Sequence, residues 1–387
     1  MILKNGEVLI TIPSAGVPGG VGNYYKIFKK HASGVFLFFL TGARDGEITL
    51  LKTGLRLTHD FISFLKALLE PNLKLVVLNP SFDPRSLIRD GVYLLTAKLL
   101  NKKAVVFFRG WHTKWEDLVF NRFGFLFKIV FFKADAMIVL ASGFKEKLEN
   151  QGYSRPIFLE TTIVDQTVFN EIQTEKTYEA VKNYKSGLNI LFLSRVTKEK
   201  GIYEAIDAFK ILKSKYSNIT LTVAGDGNEK KDVMEYVINH GIEDINFLGH
   251  ITGEEKRQAF QSSDVYLFPT CHGEGMPNSL LEAMAYGLPI ITRPAGGIKD
   301  FFQDGKMGFI TESLKPEVFA SLLEELIRNK NLVKKISVCN HKFAFTYFSS
   351  SQVIRRVANI CNLVINDIKI NTSHSYLSPL SGRENDD

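Results

Sequence analysis

The sequence predicts an α/β protein built from two doubly wound parallel-sheet domains. Three observations lead there. The chain has 387 residues, more than one ordinary hydrophobic core fills. Apolar runs rich in Val, Ile and Phe recur along it, continuous rather than alternating, as strands buried on both faces of a parallel sheet require. Helical patterns separate these runs, so the strand–helix alternation is played through twice, with a polar stretch between the two sets.

In the first half the candidate strands are EVLITI (7–12), GVFLFFL (34–40), LKLVVLN (73–79), KAVVFF (103–108) and DAMIVL (135–140). SLIRDGVYLLTAKLL (86–100) and SGFKEKLENQG (142–152) are helical patterns between them. The second half repeats this with NILFLS (189–194), TLTVAGDG (220–227), INFLGH (245–250), VYLFPT (265–270) and PIITR (289–293). The expected division is a first domain over 1–170, a connection over 171–187 and a second domain over 188–348. A last helical stretch, 349–368, is expected to cross back onto the first domain, and the Ser-rich tail 371–387 to be disordered.

Hydrophobic residues at 45% and charged residues at 23% describe a chain able to bury a sizeable core. The opening MILKNGEVLITIPS enters a strand pattern without secretory architecture, and no apolar run approaches the ~18 residues that span a bilayer. The three cysteines, Cys271, Cys339 and Cys361, are far apart, which argues for a reducing compartment and against a disulfide frame or zinc site. A cytoplasmic protein is expected. Residues 1–170 hold 22 Lys and Arg against 14 Asp and Glu, so the first half is basic and the second near neutrality. That asymmetry points to an acidic partner, either anionic lipid, a phosphorylated substrate or nucleic acid, unless the lysines only solvate helix faces. No nucleic-acid-binding module is recognisable, and none is expected to bind.

Ligands of such sheets sit at the carboxyl ends of the strands. After the first strand, Gly19, Gly20 and Gly22 would let backbone N–H groups approach an anion, or simply make a tight turn. After NILFLS, Arg195 and Lys200 flank a short loop ending at Gly201, where two cations could grip a diphosphate. After KAVVFF comes RGWHTKWED, whose His112 is either a polar group facing a ligand or a surface residue. After VYLFPT, the stretch CHGEGMPNSLLEAMAYGLP sets Glu274 ahead of a helix and Glu282 one turn inside it, with Asn278 or Ser279 as the expected N-cap. The helix start suits a phosphate, and Glu282 could accept hydrogen bonds from a ribose diol while Glu274 reaches the ligand's other end.

EGMPNSLLEAMAYGLPIITRPAGGIKDFF resembles the signature of the family 4 retaining glycosyltransferases, also called glycosyl transferases group 1. FLSRVTKEKG, PGGVGNYY and KADAMIVLASGFKEKL are similar to further segments of that family, in the same order. The resemblance implies the GT-B fold, two Rossmann-like domains facing a cleft, and retaining sugar transfer from a nucleotide-sugar donor with no cofactor and no metal. By the same resemblance Arg195 and Lys200 neutralise the donor diphosphate, and Glu282 holds the ribose. Glu274, with Gly275, Met276, Pro277, Asn278 and Ser279, binds the donor sugar and phosphates. Gly20 lies near the phosphates, His112 approaches the donor sugar, and Ile251 contacts the base. Two places depart from the pattern: Thr161-Thr162-Ile163-Val164-Asp165 replaces an Asn-Gly-Val-Asp segment, and Asp300 stands where glutamate is more common.

The acceptor is expected to be a glycan or a polyprenyl-linked sugar of cell-envelope polysaccharide synthesis. FNRFGFLFKIVFFKADAMIV (120–139) is either a core helix entering a buried strand or a basic, aromatic surface resting on the inner face of the cytoplasmic membrane. Two rival readings are a non-catalytic homologue that scaffolds a surface-polysaccharide complex and a GT-B sugar-nucleotide epimerase.

Overall fold

The computed structural model describes residues 3–13, 19–32, 34–42, 50–111, 113–171, 187–271 and 275–368. Of the expected connection 171–187 all but its two end residues, together with the tail 371–387, His112 and Glu274, lie outside the described residues. Two compact units emerge: Met1–Ile163 with Gly273–Met276 and Ser350–Asp387, and Val164–His272 with Pro277–Ser349.

The first unit runs β1 (Val8–Pro13), α1 (Gly20–His31), β2 (Phe36–Thr41), α2 (Leu50–Leu68), β3 (Leu75–Leu78) and β4 (Ser81–Phe82). It continues with α3 (Pro84–Leu99), β5 (Lys103–Phe107), β6 (Gly110–Trp111), α4 (Thr113–Asp117), α5 (Gly124–Phe131), β7 (Ala136–Val139), α6 (Ser142–Asn150) and β8 (Ile157–Leu159). Six strands form one parallel sheet in the order β2-β1-β3-β5-β7-β8. Every residue of β3 and β7 is buried, as their unbroken apolar runs require. α3 starts where Pro84 supplies the first turn and the Asp83 carboxylate accepts from Ser86 N at 3.1 Å. At the switch in strand order, Asn79 Nδ2 donates to Thr11 O at 2.7 Å and Tyr25 Oη donates to Asn79 Oδ1 at 2.5 Å. These bonds tie the ends of β1 and β3 to α1.

Phenylalanine accounts for much of this unit's core. Phe82 stacks on Trp111 at 4.2 Å, Trp111 on Phe144 at 4.5 Å, and Phe127 on Phe131 at 4.9 Å. The segment 120–139 therefore splits: Phe127 and Phe131 are buried, whereas Phe123, Phe125, Leu126 and Ile129 face outward.

The second unit comprises α7 (Gln166–Glu171), β9 (Leu188–Leu193), α8 (Ile202–Lys213), β10 (Ile219–Ala224), α9 (Lys230–Asn239) and β11 (Ile245–Gly249). Next come α10 (Gly253–Gln261), β12 (Val265–Phe268), α11 (Asn278–Ala285), β13 (Ile290–Thr292), β14 (Gly308–Ile310), α12 (Pro316–Arg328) and α13 (Lys330–Phe348). Its parallel sheet has the order β11-β10-β9-β12-β13-β14, so the winding reverses between β9 and β12. α13 fastens the strand ends from outside: Ser337 Oγ donates to Gly287 O at 2.6 Å, and Asn340 Nδ2 to Leu288 O at 2.8 Å and Met307 O at 2.9 Å.

The chain then re-enters the first unit as α14 (Ser350–Ile365). There Arg356 grips the buried Glu160 through two bonds, Nε to Oε1 at 2.8 Å and Nη2 to Oε2 at 2.9 Å, and Lys103 pairs with Asp367.

Candidate functional site

The reversal between β9 and β12 selects the loops after those two strands as the ligand-facing edge of the second unit. The loop after β9 carries Arg195, then a 3-10 turn over Lys198–Lys200, then Gly201 at φ 78° ahead of α8. A side chain at Gly201 would place its Cβ 2.4 Å from Pro269 O, so only glycine fits both the left-handed backbone and the close approach. The loop after β12 is stitched to the same turn, with Cys271 N donating to Glu199 O at 2.9 Å and Thr270 Oγ1 to the same oxygen at 3.3 Å. A third loop presses from the other side: a Cβ on Gly225 would lie 1.8 Å from Ser194 O, and one on Gly227 2.2 Å from Val196 O.

This packing turns Lys200 inward. It is 6% exposed, and its ammonium lies 5.8 Å from the Phe268 ring centroid. Burial, with the Arg195 guanidinium as the second cause, pushes the Lys200 pKa down to about 8. Lys200 is thus buried and Arg195 exposed, two cations of one loop at the carboxyl edge of the sheet. The arrangement is chemically a receptor for a doubly charged group such as a diphosphate.

The N-cap position of α11 lies one residue before the first expected cap, Asn278. Pro277 occupies the N-cap position with extended dihedrals, and no side-chain cap closes the first turn; Asn278 and Ser279 are already helical. Proline's fixed φ presets the entry geometry, which displaces the capping role from both residues. The Ser279 hydroxyl lies 2.7 Å from Tyr266 Oη, which donates onward to Leu193 O at 2.9 Å. Tyr266 has one hydrogen, so Ser279 donates to it and keeps its own lone pairs.

Glu282, one turn in, is 9% exposed and ion-paired to Lys256 of α10, with Nζ 2.7 Å from Oε1 and 2.5 Å from Oε2. Ile251 follows β11 and is half-buried. Arg195, Lys200, Pro277, Asn278, Ser279, Glu282 and Ile251 thus belong to the second unit, whereas Gly20, the first residue of α1, belongs to the first. Gly275 and Met276 group with the first unit, and a Cβ on Gly275 would lie 3.2 Å from Leu140 Cδ1.

Four participating residues are not marked by the sequence pattern. Lys256 sits 26 residues from Glu282 in the chain, and nothing local marks the pair. Tyr266 was read only as a strand residue. Gly225 and Gly227 were absorbed into the strand TLTVAGDG, although two glycines at the end of an apolar run signal a close backbone approach.

Residues 174–340 match the profile described as Glycosyl transferases group 1. The capsular polysaccharide biosynthesis glycosyltransferase CapM of Staphylococcus aureus is 27% identical over 250 residues, covering 62% of this chain and 64% of CapM. A putative colanic acid biosynthesis glycosyltransferase, WcaL of Salmonella typhimurium, is 25% identical over 244 residues, covering 61% of this chain and 58% of WcaL. The alignments thus span less than two thirds of these relatives. Among solved structures, Anabaena Alr3699/HepE in complex with UDP and glucose superposes with a TM-score of 0.69 at 16% identity, covering 92% of this chain and 99% of that one. Its likeness extends over both six-stranded parallel sheets, which is the GT-B architecture. Over residues 174–340 the chain is thus similar to glycosyl transferases group 1, and both of its sheets share the GT-B fold.

Proposed function

We propose that the chain transfers a sugar, with retention, from a UDP-sugar to a glycan or lipid-linked acceptor in cell-envelope polysaccharide synthesis. The observation that carries this reading is the placement of Arg195 and the buried Lys200 in the loop after β9, at the switch point of the second sheet, where a diphosphate would meet both. The Anabaena protein's complex with UDP and glucose supports uridine as the base, and the capsular and colanic acid relatives support the pathway class. In this reading Glu282 binds the ribose, Glu274 and the backbone of Gly275–Ser279 hold the sugar and phosphates, Ile251 flanks the base, and Gly20 and His112 approach from the first unit's sequence.

The test is a thermal-shift panel of UDP, GDP and ADP with their sugar conjugates on wild type and Glu282→Ala. A ligand at about a hundred times its dissociation constant adds ~2.7 kcal/mol of stability. A shift with UDP conjugates that shrinks in Glu282→Ala is expected; no shift with any nucleotide sinks the reading.

A membrane-presented acceptor suits the first unit's surface. α5 exposes Phe125 at 76%, with Leu126 and Ile129, and Arg122 and Lys133 stand exposed at either end of this stripe. α3, which packs on α5, exposes Ile88, Val92 and Leu99. Apolar side chains bracketed by cations fit an anionic lipid surface. Among the described residues no helix is long and apolar enough to cross a membrane.

A further inference from the structure

Arg109, two residues past β5, is 7% exposed. Its guanidinium carbon lies 3.5 Å from the Tyr24 ring centroid, 3.9 Å from that of Phe107 and 4.9 Å from that of Tyr25. The rings take the flat faces of the cation and leave its edge unserved. Nε and Nη2, the two nitrogens of one edge, are buried with no hydrogen-bond partner, and the Tyr24 hydroxyl is in the same condition. Stacking cannot satisfy these in-plane donors.

Arg356 shows what this edge does when served. Its Nε and Nη2 take the two oxygens of Glu160 at 2.8 and 2.9 Å, in the same unit. Several other arginines leave a buried Nε unpaired, but among the described residues Arg109 alone has both nitrogens of the fork orphaned. A buried donor left without an acceptor is destabilising, and a charged one more so. A side chain kept for packing alone would not carry that penalty. The position is informative too: β5 ends at the carboxyl edge of the parallel sheet, and Tyr24 lies in the second turn of α1, whose start faces the same edge.

We propose that the Nε–Nη2 edge of Arg109 receives an oxyanion of the acceptor, the carboxylate of an acidic sugar or a phosphate, so that the acceptor itself is anionic. This rests on the glycosyltransfer reading above and on the first unit as the acceptor side. The donor diphosphate already has Arg195 and Lys200, so Arg109 serves a separate anion. Two coplanar oxygens match the fork, the rings hold its plane fixed, and the Tyr24 hydroxyl offers a further donor beside it.

The test uses the full chain with nitrogen-15 arginine, following the Nε–Hε resonance of Arg109 by NMR. Arg109→Lys, which keeps the charge and loses the fork, identifies the signal; Tyr24→Phe, which keeps the ring, identifies it if Arg109→Lys does not fold. Inorganic phosphate, D-glucuronate, glucose and UDP are titrated separately. The expected result is a saturable shift with phosphate or glucuronate, the responding anion naming the source, while glucose and UDP leave the signal in place. Arg109→Lys should then weaken that anion at least tenfold by calorimetry and leave UDP affinity unchanged. A shift caused by UDP, or no shift with either anion, overturns the proposal. If UDP binds nowhere on the chain, the glycosyltransfer reading falls by itself, while a shift with phosphate or glucuronate still supports the anion site at Arg109.

Discussion

Lys256 Nζ lies 2.5 Å from Glu282 Oε2, so the carboxylate expected to meet a ribose is already neutralised by a neighbouring helix. The pair is mostly buried, and removing one partner strands the other's charge. Glu282→Ala should therefore lower stability by about 1–3 kcal/mol as well as weaken nucleotide binding. Adding Lys256→Met to Glu282→Ala should restore much of the stability and none of the binding. Urea unfolding with parallel calorimetry separates the two; recovery of binding in the double variant would show that Lys256, not the ribose, is the carboxylate's main business.

Lys200 gives a pH dependence. Between about 8 and the ordinary 10.5 the unfolded chain holds this proton more tightly than the folded one, so this group's contribution to stability rises with pH across that window. Binding has the opposite sign. An anion beside Lys200 favours its charged form, so affinity for a UDP-sugar should fall as pH rises above about 8. An arginine at position 200 cannot lose its proton in this range, so Lys200→Arg should flatten the profile. Calorimetry from pH 7 to pH 9 checks this, and a flat wild-type profile would refute it.

The close approach of Gly227 to Val196 O, at 2.2 Å for an added Cβ, ties the Arg195 loop to its neighbour. Gly227→Ala should push Arg195 out of place. We expect at least tenfold weaker UDP-sugar binding, whereas Gly34→Ser, at a glycine with no neighbour within 4 Å and no left-handed backbone, should leave binding unchanged. Equal losses in the two variants would mean a global effect.

For the exposed stripe on α5, Phe125→Ser combined with Leu126→Ser should abolish sedimentation with vesicles rich in anionic lipid. Thermal stability should change by less than about 0.5 kcal/mol, as for surface substitutions generally. Unaltered vesicle binding would assign the stripe to another partner.

Much of the fold was legible because buried parallel strands advertise themselves as unbroken apolar runs: every predicted strand has a counterpart whose ends lie within three residues. The strands without a sequence counterpart, β4, β6, β8 and β14, are two or three residues each, too short to stand out from noise. At the site, charged residues flanking glycines after a strand drew attention to Arg195 and Lys200. Partnerships made only in three dimensions, such as Lys256 with Glu282 or Arg109 with the Tyr24 face, leave no local trace. Arg109 stood three places before His112 and was overlooked, since a histidine suggests chemistry and an arginine at a strand end suggests solvent.

The first unit is discontinuous: the segment that supplies Arg356 to Glu160 follows the whole second unit in the chain. During synthesis the earlier half emerges with a buried-type carboxylate uncompensated, and it waits while the entire second unit is made and can fold as an insert. A nascent chain stalled before Ser350 would hold a complete nucleotide-side body beside an unfinished one. The docking of α14 therefore completes the first unit only after the second has been synthesised.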